Sequence, residues 1–360
     1  MKNTRDSRFE LIRILSILLI VFYHLTLYSG VKFDADPLSP NLIFNIMFGI
    51  WGKVGVILFV IISSWFLLDK DEIDYRKIIN LCLKIWLTCM LLLIVFFIFK
   101  FVSIDFKTIL KEVLTPFYYN GYKGNYYFIT VYIVFYLLSP YMNILIRNLD
   151  DKQLIKILLI MFVSVSLYNF IYENIGSHLF EFVFIYFFTA YLKRNKNSFF
   201  KRKSRLIFII SYFSIVISVI TLKLIADNYD FKFLYDIISR FYSRDYFLLH
   251  FLSFSLFFIV LEYKPFVSKT LNVLSKHTLG VYIISDNLLL RQNNNSFLFK
   301  ILFKSYSYIN SWFYILYLLV EVLLIFIVCV IIDVLIDKIV SSIKIDFFQK
   351  KNKKKKEVLL

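Results

Sequence analysis

Arg13 and His24 stand in the otherwise apolar stretch "LIRILSILLIVFYHL", residues 11–25. Ionisable groups are costly inside a membrane-spanning run, and there they face a cavity or a partner and mark function. Eleven helical steps of about 1.5 Å separate the two by roughly 16 Å, and eleven steps of about 100° come close to three whole turns. Both side chains therefore lie on one face of one helix. An arginine offers anions a planar fork of donors. A histidine changes charge nearest neutral pH, which suits a general base or a transient acyl carrier. Glu10, three residues before Arg13, is placed to pair with it. The plainer readings are a snorkelling anchor for Arg13 and a satisfied structural histidine for His24.

Three other stretches carry polar groups among apolar ones. "ILFVIISSWFLL" (57–68) holds Ser63 and Ser64, small hydroxyl residues that also serve close helix packing. "NYYFITVYIVFYLLSPYMN" (125–143) puts Tyr132 and Tyr136 on one face, followed by Ser139, Pro140 and Asn143. Pro140 should kink that helix and free a carbonyl. "LSKHTLGVYIISDNLLLR" (274–291) brings Tyr282, Ser285 and Asp286 into a short apolar span, with Arg291 or Arg244 as partner for the carboxylate. Arg240 and Arg244, with Asp236, could grip an acceptor. His277 reads as a solvated loop residue, and His178 and His250 as interface positions at outer helix ends.

The elements that must position these groups follow from composition. The chain has 360 residues, of which 59% are hydrophobic, and a mean hydropathy of +0.71. That places it among integral membrane proteins. With 8 Gly and 5 Pro, long helices and short loops are expected, and the short alternating strands of a barrel are not seen. The fold class is therefore all-α and polytopic. About ten spans of the required length are read at 9–28, 43–68, 77–102, 124–147, 154–172, 177–192, 205–226, 244–262, 278–291 and 312–338, the second opening with a tilted or re-entrant piece around "GIWGKVG". The first run is long enough to be a retained helix and not a removed signal.

Loop charge sets the expected topology. Of the Lys and Arg that fall between the spans and in the C-terminal tail, most lie in loops 69–76, 148–153, 193–204 and 263–277 and in that tail, whereas 29–42 and 173–176 hold Lys32 alone. Both termini are then cytoplasmic. The net charge of +17 sits in basic runs such as 193–205 and 349–356, which suit anionic lipid heads and the lipid bilayer, not nucleic acid. Cys82, Cys89 and Cys329 fall in apolar runs with no zinc spacing, so no metal is expected. Residues 1–340 read as one transmembrane domain, and 341–360 as a basic cytoplasmic tail. Heavy use of Lys, Ile, Asn and Phe fits a bacterial source.

The first span resembles the start of the membrane-bound acyltransferase 3 family, in which an arginine, ten residues and a histidine stand in the first helix. Here that pattern is "RILSILLIVFYH", Arg13 to His24, preceded by "FELIR". "LFVIISSWFLL" is similar to the family's second-span segment, with Ser64 where glycine is frequent. "VYIVFYLLSPYMN" is similar to its Tyr-Leu-Leu-Ser-Pro-aromatic-x-Asn segment. "LSKHTLGVYIISDN" is similar to its late Leu-Gly-x-Tyr-Leu-Ile-His segment, with Ser285 in place of the frequent histidine. The matches keep the family's order from residue 8 to about 291.

The resemblance implies an O-acyltransferase of the cytoplasmic membrane. Its donor would be acetyl-CoA, and its acceptor a hydroxyl of a cell-surface or lipid-linked carbohydrate. Arg13 would position the donor and His24 would act on the acceptor hydroxyl. Glu10, Ser63, Ser64, Tyr132, Tyr136, Asn143, Arg240, Arg244, Tyr282, Ser285, Asp286 and Arg291 would be donor- or acceptor-binding candidates. Three rivals remain: a polysaccharide transporter or flippase, expected to show more spans and internal repeats; a glycan polymerase or ligase, expected to carry a larger external loop; and an inactive relative used for interaction.

Overall fold

The computed structural model describes residues 5–28, 38–101, 105–114, 126–168, 178–195, 197–241, 246–291 and 305–342. They form helices and connecting turns, with no strand among them. The principal helices are α1 (Ser7–Tyr28), α2 (Pro40–Gly49), α3 (Trp51–Leu67), α4 (Tyr75–Ile98), α5 (Phe106–Leu114), α6 (Tyr127–Asn148) and α7 (Asp151–Phe162). They continue with α8 (His178–Arg194), α9 (Ser204–Tyr229), α10 (Phe233–Phe241), α11 (Phe247–Glu262), α12 (Thr278–Ser285) and α13 (Tyr314–Ser342). A helix satisfies its own backbone groups, which is why apolar runs of this composition take that form in lipid.

Six helical segments among the described residues are long and apolar enough to cross a membrane: 7–27, 40–67, 75–98, 127–148, 204–229 and 314–340. The other expected spans are shorter helices. They are α7, which runs on as the π-helical turn Val163–Tyr168, then α8, α11 and α12. The expected irregularity near "GIWGKVG" is a one-residue interruption at Ile50 between α2 and α3.

Burial shows which helices are central. Within their most apolar windows, 61% of α1 and 67% of the α2–α3 segment are buried, against 28% of α9 and 33% each of α4 and α13. Ile12, Ile17, Val21 and Leu25 of α1 are fully buried. α1 packs on α3, α12 and α13, and α3 in turn packs on α8 and α11. The outer helices turn Ile, Leu and Phe side chains outward, as a lipid-facing surface would.

The loops expected on the cytoplasmic side are joined at one end of the bundle. Arg147 pairs with Asp71, Lys193 with Asp69 at 2.6 Å, Arg194 with Asp151 at 3.1 Å and Arg205 with Glu262 at 2.8 Å. Arg8 donates to the carbonyls of Leu261 and Tyr263 at 2.6 and 2.7 Å, and so ties the start of α1 to the same end.

Candidate active site

His24 lines a cavity of about 230 Å³. Its walls come from consecutive turns of four elements. α1 gives Ile20, Tyr23, His24 and Leu27, and α3 gives Lys53, Val56 and Phe59. α6 gives Tyr127 and Phe128, and the α12 region gives Leu279, Tyr282 and Asp286. Nδ1 of His24 lies 3.6 Å from Oδ1 of Asp286, and the two side chains are 12% and 2% exposed. That spacing is beyond a direct hydrogen bond but within ion-pair reach. A carboxylate facing a ring nitrogen of a histidine is the arrangement found in histidine–carboxylate pairs. Tyr23 lies against the bare α-carbon of Gly52, where an added Cβ would fall 2.2 Å from Tyr23 Cβ. The ammonium of Lys53 sits 5.0 Å over the Tyr23 ring, a cation–π arrangement.

Arg13 lines a second cavity of about 600 Å³ at the end of the bundle where the basic loops meet. Ser63, Tyr132 and Tyr136 line it, with Arg5, Asp6, Glu10, Asp69, Lys70 and Lys77. Nη1 of Arg13 donates to Glu10 Oε2 at 2.7 Å, and its guanidinium lies over Phe66, 5.7 Å from the ring centre. Asp6 and Asp69 are neutralised from outside the lining, by Arg8 and Lys193 at 2.6 Å each. The hydrogen-bonded Arg8 guanidinium holds the Asp6 carboxyl below the usual carboxylate range. Lys77 is itself 3.6 Å from Asp74 outside the lining, so the lining's surplus positive charge comes from Arg5 and Lys70. Partial burial first, and the neighbouring Lys77 second, push the Lys70 ammonium below the ordinary lysine range.

The cavities are one helical turn apart. Ser63 and Tyr132 line the Arg13 cavity, and Phe59 and Phe128, each four residues away on the same helix, line the His24 cavity. The rings of Tyr132 and Phe128 stack with centroids 6.2 Å apart. Four residues of α-helix span about 6 Å, so a layer of that depth separates the two spaces.

Other sequence candidates lie outside both linings. Ser139 donates to the Tyr136 carbonyl at 2.8 Å, the acceptor that Pro140 deprives of its amide partner. The proline is thus absorbed inside α6. Asn143 donates to the carbonyls of Leu67 and Lys70 at 2.9 and 2.7 Å and accepts from the Tyr186 hydroxyl at 2.6 Å, closing the C-terminal end of α3. Ser64 and Ser285 are buried and line neither cavity; the same holds for half-buried Arg240. Arg244 and the side chain of Arg291, the expected partners of Asp286, lie outside the described residues, as does the basic tail from 343 onward.

Three histidines sit deeper than expected. His277 is not a solvated loop residue. It ends a 3₁₀ turn, with Nδ1 2.8 Å from Asp333 Oδ2 and 3.4 Å from Asp337 Oδ2. Lys84 Nζ lies 2.8 Å from each of these carboxylates. The three acid and histidine ligand atoms fall within 4.8 Å of one another, but the ammonium already supplies a cation between the carboxylates. Asp333 fits because Gly280 has no side chain: a Cβ there would lie 1.8 Å from Asp333 Oδ1. His250 is 1% exposed and 3.8 Å from equally buried Glu181. His178 is 7% exposed, its ring 5.0 Å from Tyr127.

Sequence reasoning missed Lys53, Tyr23, Tyr127, Phe128, Lys70 and Lys77. Lys53 carried a usable signal, an ammonium within an apolar run. Lys70 lay in a loop already read as basic, and Lys77 just after it; the three aromatics carried no signal, because only tertiary packing separates a lining aromatic from a lipid-facing one.

A protein-family model described as an acyltransferase domain matches residues 6–334. No curated protein and no solved structure matches the chain. The match takes in the lining of both cavities from Asp6 to Asp286, with Arg5 just before its first residue. The chain belongs to the acyltransferase 3 family of membrane acyltransferases.

Proposed function

We propose that this membrane acyltransferase carries acetyl from acetyl-CoA to a hydroxyl of a cell-surface or lipid-linked carbohydrate. In this reading the chain crosses the cytoplasmic membrane ten times, with both termini inside. The Arg13 cavity then faces the cytoplasm, where acetyl-CoA is found. Its surplus of positive charge suits the donor's phosphates, and arginine recognises phosphate through paired donors. The pantetheine arm passes the layer between Ser63–Tyr132 and Phe59–Phe128 and brings the thioester to the His24 cavity.

At that point His24 accepts the proton of the acceptor hydroxyl through Nε2, while Asp286 faces Nδ1. The oxygen attacks the thioester carbonyl, and the tetrahedral intermediate expels coenzyme A as thiolate. The proton held by His24 passes to that sulfur, so one ester and one thiol leave and the enzyme is unchanged. Aromatic rings along the His24 cavity offer faces to the apolar side of a sugar. The observation that carries this reading is the pairing of His24 with Asp286 in a cavity one turn from a basic one.

The test is transfer of label from radioactive acetyl-CoA into the glycan fraction of membranes containing the protein. Label in an alkali-labile ester, lost with His24→Ala at matched protein level, is the expected result. Full transfer by His24→Ala would remove the mechanism.

A further inference from the structure

The segment that bears Asp286 is fastened by a residue from another helix. α12 stops at Ser285. Beyond it the Asp286 amide donates to the Tyr282 carbonyl at 3.0 Å and the Asn287 amide to the Ile284 carbonyl at 3.3 Å. A continuing α-helix would send the Asn287 amide to Ile283. That carbonyl accepts instead from the hydroxyl of Tyr126, at 2.5 Å. The same hydroxyl accepts from Nδ2 of Asn287 at 2.8 Å, and Oδ1 of Asn287 accepts from the Leu289 amide at 2.9 Å. One phenol thus satisfies the carbonyl left over where the helix ends and grips the residue next to Asp286.

Tyr126 is held for this task. It is 1% exposed and immediately precedes α6. Its backbone is left-handed, with φ 53°, a conformation that a bulky residue adopts only when its surroundings over-determine it. Its ring meets that of Tyr282 edge-on, centroids 6.2 Å apart, and Tyr282 lines the His24 cavity. Without the hydroxyl, the Ile283 carbonyl would be buried without this donor, or the helix would run on and swing Asp286 away from His24.

We infer that Tyr126, with Asn287, is the positioning residue that ends α12 at Ser285 and so aims Asp286 at His24. The inference rests on the reading that His24 is the base of the transfer. It makes the Tyr126 hydroxyl matter to the rate only through Asp286, which a simple helix cap would not require.

The experiment measures transfer from labelled acetyl-CoA in membranes for wild type, Tyr126→Phe, Asp286→Asn, their double variant and His24→Ala, at matched protein level. Tyr126→Phe is expected to lower kcat roughly tenfold to a hundredfold with the KM for acetyl-CoA unchanged. The double variant is expected to be no slower than Asp286→Asn alone, because both changes remove one interaction. A wild-type kcat for Tyr126→Phe, or losses that multiply in the double variant, would overturn the inference. Should Tyr126→Phe fail to accumulate, Asn287→Ala takes its place with the same expectations. His24→Ala at the wild-type rate would instead overturn the catalytic reading itself.

Discussion

Nδ1 of His24 lies 3.6 Å from Oδ1 of Asp286, although 262 positions separate the two in the chain. α1 supplies the imidazole and the broken end of α12 supplies the carboxylate. Both reach one cavity because α1 packs directly on α12. The prediction is a graded loss of transfer. His24→Ala should cost about 10²- to 10⁴-fold, the usual worth of a general base. Asp286→Asn keeps shape but not charge and should cost less than His24→Ala. Initial rates with labelled acetyl-CoA measure both, and an Asp286→Asn enzyme at full rate would separate the carboxylate from the chemistry.

Donor binding should depend on the Arg13 cavity and not on the His24 cavity. Arg13→Ala removes a charge-assisted donor worth about 1.5–3 kcal/mol and should raise the KM for acetyl-CoA about 10- to 100-fold. It also leaves Glu10 without its partner, so Arg13→Lys is the informative control. An unchanged KM would return Arg13 to the role of an anchor.

The same cavity gives a pH dependence with a definite sign. Lys70 is held below the ordinary lysine range by partial burial and by Lys77. Its positive charge is therefore complete at low pH and is lost, as pH rises, earlier than that of an ordinary lysine. Affinity for the anionic donor should fall on the alkaline side, and Lys70→Gln should flatten that limb. Lys70 is exposed, so the effect is a few-fold. A donor KM profile identical in Lys70→Gln and wild type would contradict it.

Ser139 and Pro140 should behave as a unit. Ser139→Ala leaves the buried Tyr136 carbonyl without its donor, at a cost of about 1–3 kcal/mol. Pro140→Ala restores a backbone amide able to reach that carbonyl, so Ser139→Ala in that background should cost much less. Thermal stability of the four detergent-solubilised proteins tests this. Equal losses in both backgrounds would show that the hydroxyl acts elsewhere.

Gly280→Ala should destabilise by about 1–3 kcal/mol, the usual cost of overpacking, because its Cβ would meet the Asp333 carboxylate at 1.8 Å. Lys84→Met should cost more, about 3–5 kcal/mol, since it leaves buried carboxylate charge without its cation. Thermal unfolding of the solubilised variants measures both, and a Gly280→Ala protein as stable as wild type would mean that Asp333 can move aside.

Much of the arrangement could be read from residue order. Arg13 and His24 were visible because charge in an apolar helix is rare, and their spacing placed them on one face. Tyr132 and Tyr136 share the Arg13 cavity as their four-residue spacing required. The partner of Asp286 was not legible: the arginines nearest in sequence were natural candidates, and the contact with His24 depends on how α12 meets α1. His277 looked solvated because it follows a lysine in a polar loop, yet Asp333 and Asp337, on α13, lie against it. Tyr126 gave no signal at all, since its role comes from a backbone conformation and from a carbonyl on another helix. Local pattern reports composition and face; which faces meet is decided by packing.

The most direct test of the central claim is the O-acetyl content of surface glycans, read by proton NMR. The cells compared carry the intact gene, a deletion, or His24→Ala at matched protein level. Loss of an O-acetyl signal in both the deletion and the His24→Ala cells is the predicted result, and it would also name the acceptor. An O-acetyl signal lost in the deletion but retained in full with His24→Ala would contradict the account.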